Sequence, residues 1–352
     1  MILKIAGGCG EHGRNCFLVK NDNDSFLVDC GLLSSSGTPE LTEDEIRSVR
    51  YLFLTHSHAD HSGAIPWLYQ NGFNGKIIAS EQTLKQLAFA VSDSVSLEGI
   101  TENRKGRIGN IEMQYGRSGH CVGSVWYQFS LQGKKLMFSG DYTENTQVYS
   151  FDPIRDKFAD IAVVDCAYGN KSISYADECE MLIKTIKKLL DIYGRIVMPV
   201  PKYGRGLELL CLLKKAIPKV NFCGDGHFIE QSEKMSEQSY WFKSNANVCS
   251  VHTVDQEIYP KILFVSDPQI RSEKARKTVL NILQKGGTAV MTGTVEEGTM
   301  AEKLINDRKM HLVRYPVHQN YIQYKALVSK NHFSKVIAYH SAEFHYSKEQ
   351  EV

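Results

Sequence analysis

No run of about 18 apolar residues occurs anywhere in the sequence, so nothing in it reads as a membrane-spanning helix. The opening Met1-Ile2-Leu3-Lys4-Ile5 passes straight into Gly7-Gly8, too short an apolar run for a secretory signal. No two cysteines are spaced as CxxC. The nine that occur (Cys9, Cys16, Cys30, Cys121, Cys166, Cys179, Cys211, Cys223 and Cys249) are odd in number and scattered, which speaks against a disulfide framework or a zinc ribbon. Most stand beside apolar residues, as Cys211 does in Leu209-Leu210-Cys211-Leu212-Leu213. They are expected to be small buried thiols in a reducing compartment, and the protein is expected in the cytoplasm. An excess of either charge is also missing: 41 Lys and Arg against 40 Asp and Glu leave a net charge of +1. Any contact with a polyanion must therefore come from a local patch and not from the field of the whole molecule. Internal repeats, low-complexity tracts and flexible linkers are absent as well.

What the sequence does contain is an ordinary globular composition, 42% hydrophobic and 23% charged over 352 residues. That length suits two domains, or one domain carrying a large insertion. The first third shows short apolar strands at Ile2 to Ala6, Cys16 to Lys20, Ser25 to Asp29 and Tyr51 to Thr55, separated by Gly, Asn and Asp. A short helix over Gly63 to Tyr69 and strands at Lys76 to Ala79, Val125 to Leu131 and Lys135 to Ser139 are expected next. From about Ser172 the pattern changes to helices and strands in alternation. Met181, Leu182, Ile186, Leu189 and Leu190 fall at helical spacing before a stop at Gly194. Strand Arg195 to Val200, helix Leu207 to Ile217, strand Lys261 to Val265, helix Ser272 to Gln284, strand Thr288 to Thr292 and helix Met300 to Asn306 follow. Such alternation predicts a parallel sheet flanked by helices.

The chemistry concentrates in Thr55-His56-Ser57-His58-Ala59-Asp60-His61-Ser62-Gly63, directly after an apolar strand. Three imidazoles and one carboxylate within six residues are rarely a packing feature. Their nitrogens and oxygens are the donors that zinc and similar divalent ions prefer, and the short spacing lets one loop serve two adjacent ions. Two later segments, Ser118-Gly119-His120-Cys121-Val122-Gly123-Ser124 and Phe138-Ser139-Gly140-Asp141-Tyr142, are weak signals singly and strong ones in this order.

HSHADH, GHCVGS and SGDY resemble the second, third and fourth motifs of the metallo-β-lactamase superfamily. Gly7-Gly8-Cys9-Gly10-Glu11-His12-Gly13-Arg14-Asn15-Cys16 and Leu27-Val28-Asp29-Cys30-Gly31 resemble its first motif. The resemblance implies that His56, His58 and His120 hold one ion, that Asp60, His61 and a later histidine, His340, hold the other, and that Asp141 bridges them. Asp29 would support the ligand loop without binding metal. Two divalent ions are implied as cofactors, zinc first and manganese as the option.

After Asp141 the sequence resembles the β-CASP branch, which includes ribonuclease J and the endonuclease of messenger-RNA 3′-end processing. Val163-Val164-Asp165-Cys166-Ala167-Tyr168-Gly169 resembles its motif A, Tyr315-Pro316-Val317-His318-Gln319-Asn320-Tyr321 occupies the place of motif B, and Val336-Ile337-Ala338-Tyr339-His340-Ser341 that of motif C. Pro199-Val200 with Gly204-Arg205-Gly206-Leu207-Glu208-Leu209-Leu210, and Thr292-Gly293-Thr294 with Glu297-Gly298-Thr299, resemble segments near the two ends of the β-CASP insertion. Motif B departs from the family in Pro316 and Gln319-Asn320, motif C in Ser341-Ala342-Glu343 where Gly-Glu is usual. A glycine-rich, phosphate-holding segment of many members stands here as Val265-Ser266-Asp267-Pro268, whose acidic side chain would repel an anion. His318 and His340 lie in or beside apolar strands, where a core histidine is the ordinary reading, and the resemblance reverses it. Members with histidine at motif C mostly act on RNA and those acting on DNA mostly carry valine there, so His340 points to RNA.

The expected fold is α/β: a metallo-β-lactamase αβ/βα sandwich formed by residues 1–170 and 311–352, interrupted by a β-CASP α/β insertion at 171–310, with the metal site in the cleft between them. The expected activity is hydrolysis of RNA phosphodiesters by a dinuclear metal site, with Asp60, His318 and Asp165 as catalytic residues. In it both ions absorb developing charge, and His318, oriented by Asp165, gives a proton to the leaving oxygen. RNA is the expected partner, no membrane is expected, and a homodimer is an option. The rival readings are another hydrolase of the superfamily, acting on DNA, a nucleotide, an ester or a thioester, and a non-catalytic RNA-processing subunit. The remaining histidines, His12, His227, His252, His311, His332 and His345, are expected to be surface or structural.

Overall fold

A computed structural model describes residues 1–21, 23–34, 37–235, 237–246, 251–253 and 261–352. Cys249, expected as a buried thiol, lies outside the described residues. The chain divides into two compact units: Met1–Asn145 with Phe151–Ser172 and His318–Val352, and Thr146–Ser150 with Ile173–Val317.

The first unit carries two seven-stranded sheets. One runs Glu349–Glu351, Ile2–Gly7, Cys16–Lys20, Phe26–Val28, Tyr51–Phe53, Lys76–Ala79, Ser94–Ser96. The other runs His332–Tyr339, Phe158–Asp165, Lys134–Phe138, Val125–Leu131, Ile111–Arg117, Lys105–Ile108, Thr101–Glu102. Successive side chains of a strand point to opposite faces, and the sequence uses this alternation to make two apolar layers per sheet. Phe53 faces the other sheet, whereas Leu52 and Leu54 join Leu18, Leu27 and Ile77 against Ile46 of helix Glu43–Ser48 and Ile65 and Leu68 of helix Ile65–Gln70. In the second sheet Trp126, Met137, Ala162 and Val164 turn outward onto Leu327 of helix Tyr321–Ser329. Between the sheets lies an aromatic layer, with Phe129 4.7 Å from Phe53 and 4.9 Å from Phe26, and Phe17 5.9 Å from Phe138. Sheets face one another and helices cover their outer faces, which is the αβ/βα sandwich.

Among its described residues the second unit has a six-stranded sheet in the order His252–Thr253, Asn221–Gly224, Lys261–Val265, Arg195–Pro199, Thr288–Met291, Met310–Leu312, parallel throughout. Strands buried on both faces read as continuous apolar runs, as in Ile262-Leu263-Phe264-Val265. The longest helix, Tyr175–Tyr193, starts where the Ser174 side chain accepts from Asp177 N and stops at Gly194, whose φ of 69° suits glycine. Buried Glu208 accepts from Tyr315 Oη at 2.7 Å, from Gln147 N at 2.6 Å and from the Thr146 hydroxyl, which ties the short piece Thr146–Ser150 to this unit.

Because Phe129 is 1% exposed and touches aromatic rings of both sheets, Phe129→Ala is expected to lower stability by about 3–5 kcal/mol. Leu312→Ala, at a side chain 59% exposed, should stay within about 0.5 kcal/mol of the wild type. Urea unfolding followed by circular dichroism checks both; equal midpoints for the two variants would contradict the packing described.

Candidate metal centre

Strand Tyr51–Phe53 pairs in parallel with Phe26–Val28, so both strands deliver their following residues to the same end of the sheet. There Asp29 adopts a left-handed conformation, φ 59°, and turns its carboxylate back under the next loop. It accepts from Thr55 N at 2.7 Å, from the Thr55 hydroxyl at 2.8 Å and from His61 Nδ1 at 2.7 Å. The loop is therefore fixed before any histidine side chain is considered. Beyond it the chain forms a single helical turn, Ala59–Ser62, so Asp60 and His61 stand on helix and not on open loop as the sequence suggested.

His120 follows Gly119 at φ 80°, and Asp141 follows Gly140 at φ 55°. A Cβ on Gly140 would lie 2.8 Å from Val125 O and 2.9 Å from Thr55 Cβ, so only glycine lets Asp141 enter at this depth. His340 ends strand His332–Tyr339 in another left-handed residue, φ 69°, with its N–H donating to Gly8 O at 2.6 Å. Strained backbone on both Asp29 and His340 is the kind that surrounding structure must enforce.

All seven residues singled out as ligands meet around Asp141. Donor atoms of His56, His58, His120 and Asp141 lie within 4.8 Å of one another, as do those of Asp60, His61, Asp141 and His340. The two carboxylate oxygens divide the work. Oδ2 lies 3.5 Å from His56 Nε2 and 3.4 Å from His120 Nε2, while Oδ1 lies 3.1 Å from His61 Nε2 and 3.2 Å from His340 Nδ1. Asp60 Oδ2 is 3.1 Å from His340 Nε2. His318 Nδ1 donates to Asp165 Oδ2 at 2.9 Å, and Asp165 in turn accepts from Tyr142 N and Ala167 N, each at 3.0 Å. A third group, Asp141, Asp165, His318 and His340, also falls within 4.8 Å.

Burial lowers the basicity of His340, yet Asp141 and Asp60 outweigh it and push the ring up to about 10. Burial opposes charge on His61 too, and Asp141, Asp29 and Asp60 raise it well above the usual imidazole range. Asp141 is held well below the usual carboxylate range, because His61, His340, His318 and His56 overcome its burial. For His56, burial and the neighbouring His61 push the ring down. The pocket thus concentrates negative charge that protons balance when no cation does.

Nitrogen and carboxylate donors in two clusters suit divalent cations. A direct sign that the residues fit such ions is that His56 Nε2 and both ring nitrogens of His340 are buried and meet no hydrogen-bond geometry, although carboxylate oxygens stand 3.1 to 3.5 Å from them. Buried polar nitrogens without a well-formed partner are costly unless something binds them.

Sequence reasoning passed over several contributors. Asn15 Nδ2 is 2.8 Å from His61 Nε2, and the Tyr339 hydroxyl reaches Asp141 Oδ1 at 3.4 Å. The irregular motif B is put to use: Gln319 Nε2 donates to Asp165 O at 2.7 Å. So is the displaced glutamate of motif C, since Glu343 Oε2 accepts from Asn170 N at 2.9 Å and from its side-chain amide at 2.6 Å, holding the loop after Asp165. His12, expected to be surface or structural, stacks on His340 with ring centroids 4.4 Å apart. The adjacent His340 charge, burial and His318 lower it to about 4.

Residues 9–185 match the Metallo-beta-lactamase superfamily. The chain is 24% identical over 328 residues to Probable RNase MJ4 of Methanocaldococcus jannaschii, covering 85% of this chain and 74% of that one. It is 25% identical over 246 residues to Endoribonuclease ysh-1 of Neurospora crassa, covering 60% of this chain but only 29% of the relative's length. A crystal structure of a protein of unknown function from Enterococcus faecalis superposes with a TM-score of 0.64 at 10% identity, covering 97% of this chain and 94% of that one, a likeness of fold. These relatives agree with the resemblance to the β-CASP branch. With half of its length matched and both donor clusters assembled at the sheet ends, the chain belongs to the metallo-β-lactamase superfamily.

Proposed function

We propose that the protein is a dinuclear metal-dependent ribonuclease. The observation that carries this reading is the split of Asp141, one oxygen toward His56 and His120 and the other toward His61 and His340. In it His56, His58, His120 and Asp141 hold one ion and Asp60, His61, Asp141 and His340 the other. The names of the relatives, an RNase and an endoribonuclease, support RNA as the substrate, although the chain spans 74% of the first and 29% of the second. The second unit, Thr146–Ser150 with Ile173–Val317, is proposed to be the β-CASP insertion, its parallel sheet and helices supporting that reading. The eight described cysteines are free thiols, which supports a reducing compartment such as the cytoplasm.

Divalent ions held by these residues, zinc or manganese by donor type, would supply positive charge for the phosphodiester oxygens and lower the pKa of water at the site. The chain's own residues do the rest. Asp60, with a side chain 33% exposed, can accept the proton of the attacking water. His318 donates its Nδ1 proton to Asp165, which fixes the ring and leaves Nε2 to deliver a proton to the departing ribose oxygen. Asp165 holds its orientation because two backbone N–H groups and His318 share its carboxylate.

Asp141→Asn removes the anionic group common to both clusters, and is expected to lower metal content and abolish hydrolysis while the circular dichroism spectrum is kept. Elemental analysis beside an RNA cleavage assay checks this; full activity with two ions per chain would refute the site. His340→Ala should cost one ion in preference to the other.

A ribose alkoxide leaves poorly without a proton, whereas nitrophenolate needs little help. His318→Ala is therefore expected to slow RNA cleavage by about 10²- to 10⁴-fold and to spare bis(p-nitrophenyl) phosphate, with Asp165→Asn acting in the same direction but less strongly. Equal losses on both substrates at unchanged metal content would mean that His318 binds phosphate and does not protonate the leaving group.

A further inference from the structure

His12 belongs to neither donor cluster and to no proton transfer described above. Its Nδ1 lies 2.8 Å from the carbonyl oxygen of His340, and its ring lies over the His340 ring with the planes 14° apart. A carbonyl oxygen only accepts, so the proton of the neutral imidazole must sit on Nδ1 and Nε2 keeps its lone pair. The residue is partly open to solvent, and Nε2 makes no hydrogen bond among the described residues.

The ring is held there by a loop that owes nothing to His12 itself. Gly8 N and Arg14 Nε donate to Glu11 Oε1, each at 2.9 Å, and Arg14 Nη2 to Glu11 Oε2 at 2.8 Å. Arg14 N donates to Leu32 O at 3.0 Å and Asn15 N to Asp60 O at 2.9 Å, which anchors the loop to the helical turn carrying Asp60 and His61. An acceptor is thus fixed on solvent-facing ground one ring away from the donor cluster.

A fixed acceptor selects for a donor. Phosphate and ring oxygens of a nucleic-acid backbone only accept and would meet the lone pair unfavourably. The 2′-hydroxyl is the one backbone donor, and only RNA has it. We propose that His12 Nε2 accepts a hydrogen bond from the 2′-hydroxyl of a ribose flanking the cleaved phosphate, so that His12 is a residue that distinguishes RNA from DNA. The proposal rests on the ribonuclease reading.

The test uses the metal-loaded full chain and three strands of one sequence: all ribose, one deoxyribose on the 5′ side of the cleaved bond, and one on its 3′ side. Wild type is expected to cleave the all-ribose strand about two- to tenfold faster than one of the singly substituted strands, the size of one neutral hydrogen bond. In His12→Phe, which keeps a ring over His340 but has no acceptor, the two rates should converge. His12→Gln, whose amide oxygen can accept, should restore part of the difference. Each ratio is taken within one variant, so a purely structural loss slows every strand alike and leaves the ratio as it was. A ratio unchanged in His12→Phe, or one of unity in the wild type, overturns the proposal and leaves the ribonuclease reading standing. Failure of the metal-loaded wild type to cleave any RNA overturns both.

Discussion

A carboxylate buried in the base of the site sets the geometry of everything above it. Asp29 is 2% exposed, and an ionised group at that depth is tolerated only when its oxygens are fully used. Thr55 supplies a backbone and a hydroxyl donor and His61 supplies the third. These bonds lock the strand end, the loop and the helical turn into one body, so the His61 ring cannot turn without taking one of the three donors from Asp29. The residue that orients the donors is thus itself held by the sheet, which is how a rigid framework passes its precision to side chains at its edge.

Around Asp141 the same economy holds with the signs reversed. Four imidazoles approach its two oxygens from two sides, and each carboxylate in the pocket faces histidine. The balance of charge can be kept by protons or by cations, but not by burial alone. Histidine suits such a site because it can give up a proton and turn the freed lone pair to a metal. Asp165 stands at the margin of this cluster, with backbone N–H groups and His318 as partners and Oδ1 4.0 Å from His340 Nδ1.

Much of this was legible in the sequence because it is local. The six residues His56 to His61 carry their meaning in their spacing, and the strand at Tyr51 carries its meaning in alternation. Helix Glu43–Ser48 was also readable and was passed over: Thr42 and Glu45 form a reciprocal cap that the sequence spells as Thr-x-x-Glu. Strands Ser94–Ser96, Thr101–Glu102 and Lys105–Ile108 could not be read, since they lie at the rim of their sheets with mixed exposure and no apolar period. Nor could Tyr339 on Asp141 or Gln319 on Asp165, because such contacts join residues 198 and 154 positions apart and leave no local trace. Glu343 shows why motif departures mislead: shifted by one residue, it still reaches the loop at Asn170.

The distribution of the two donor clusters along the chain also gives them different histories. His56, His58, His120 and Asp141 all precede the bulk of the second unit in the chain, whereas the cluster with Asp60 and His61 waits for His340. Between the two moments the entire second unit must be synthesised. Contacts of such sequence separation are slow to form, and domains fold largely as units during synthesis. The growing chain therefore passes through an interval in which one cluster has all its residues and the other still lacks His340. Under the proposed reading, cations present during translation would then meet the two clusters at different times.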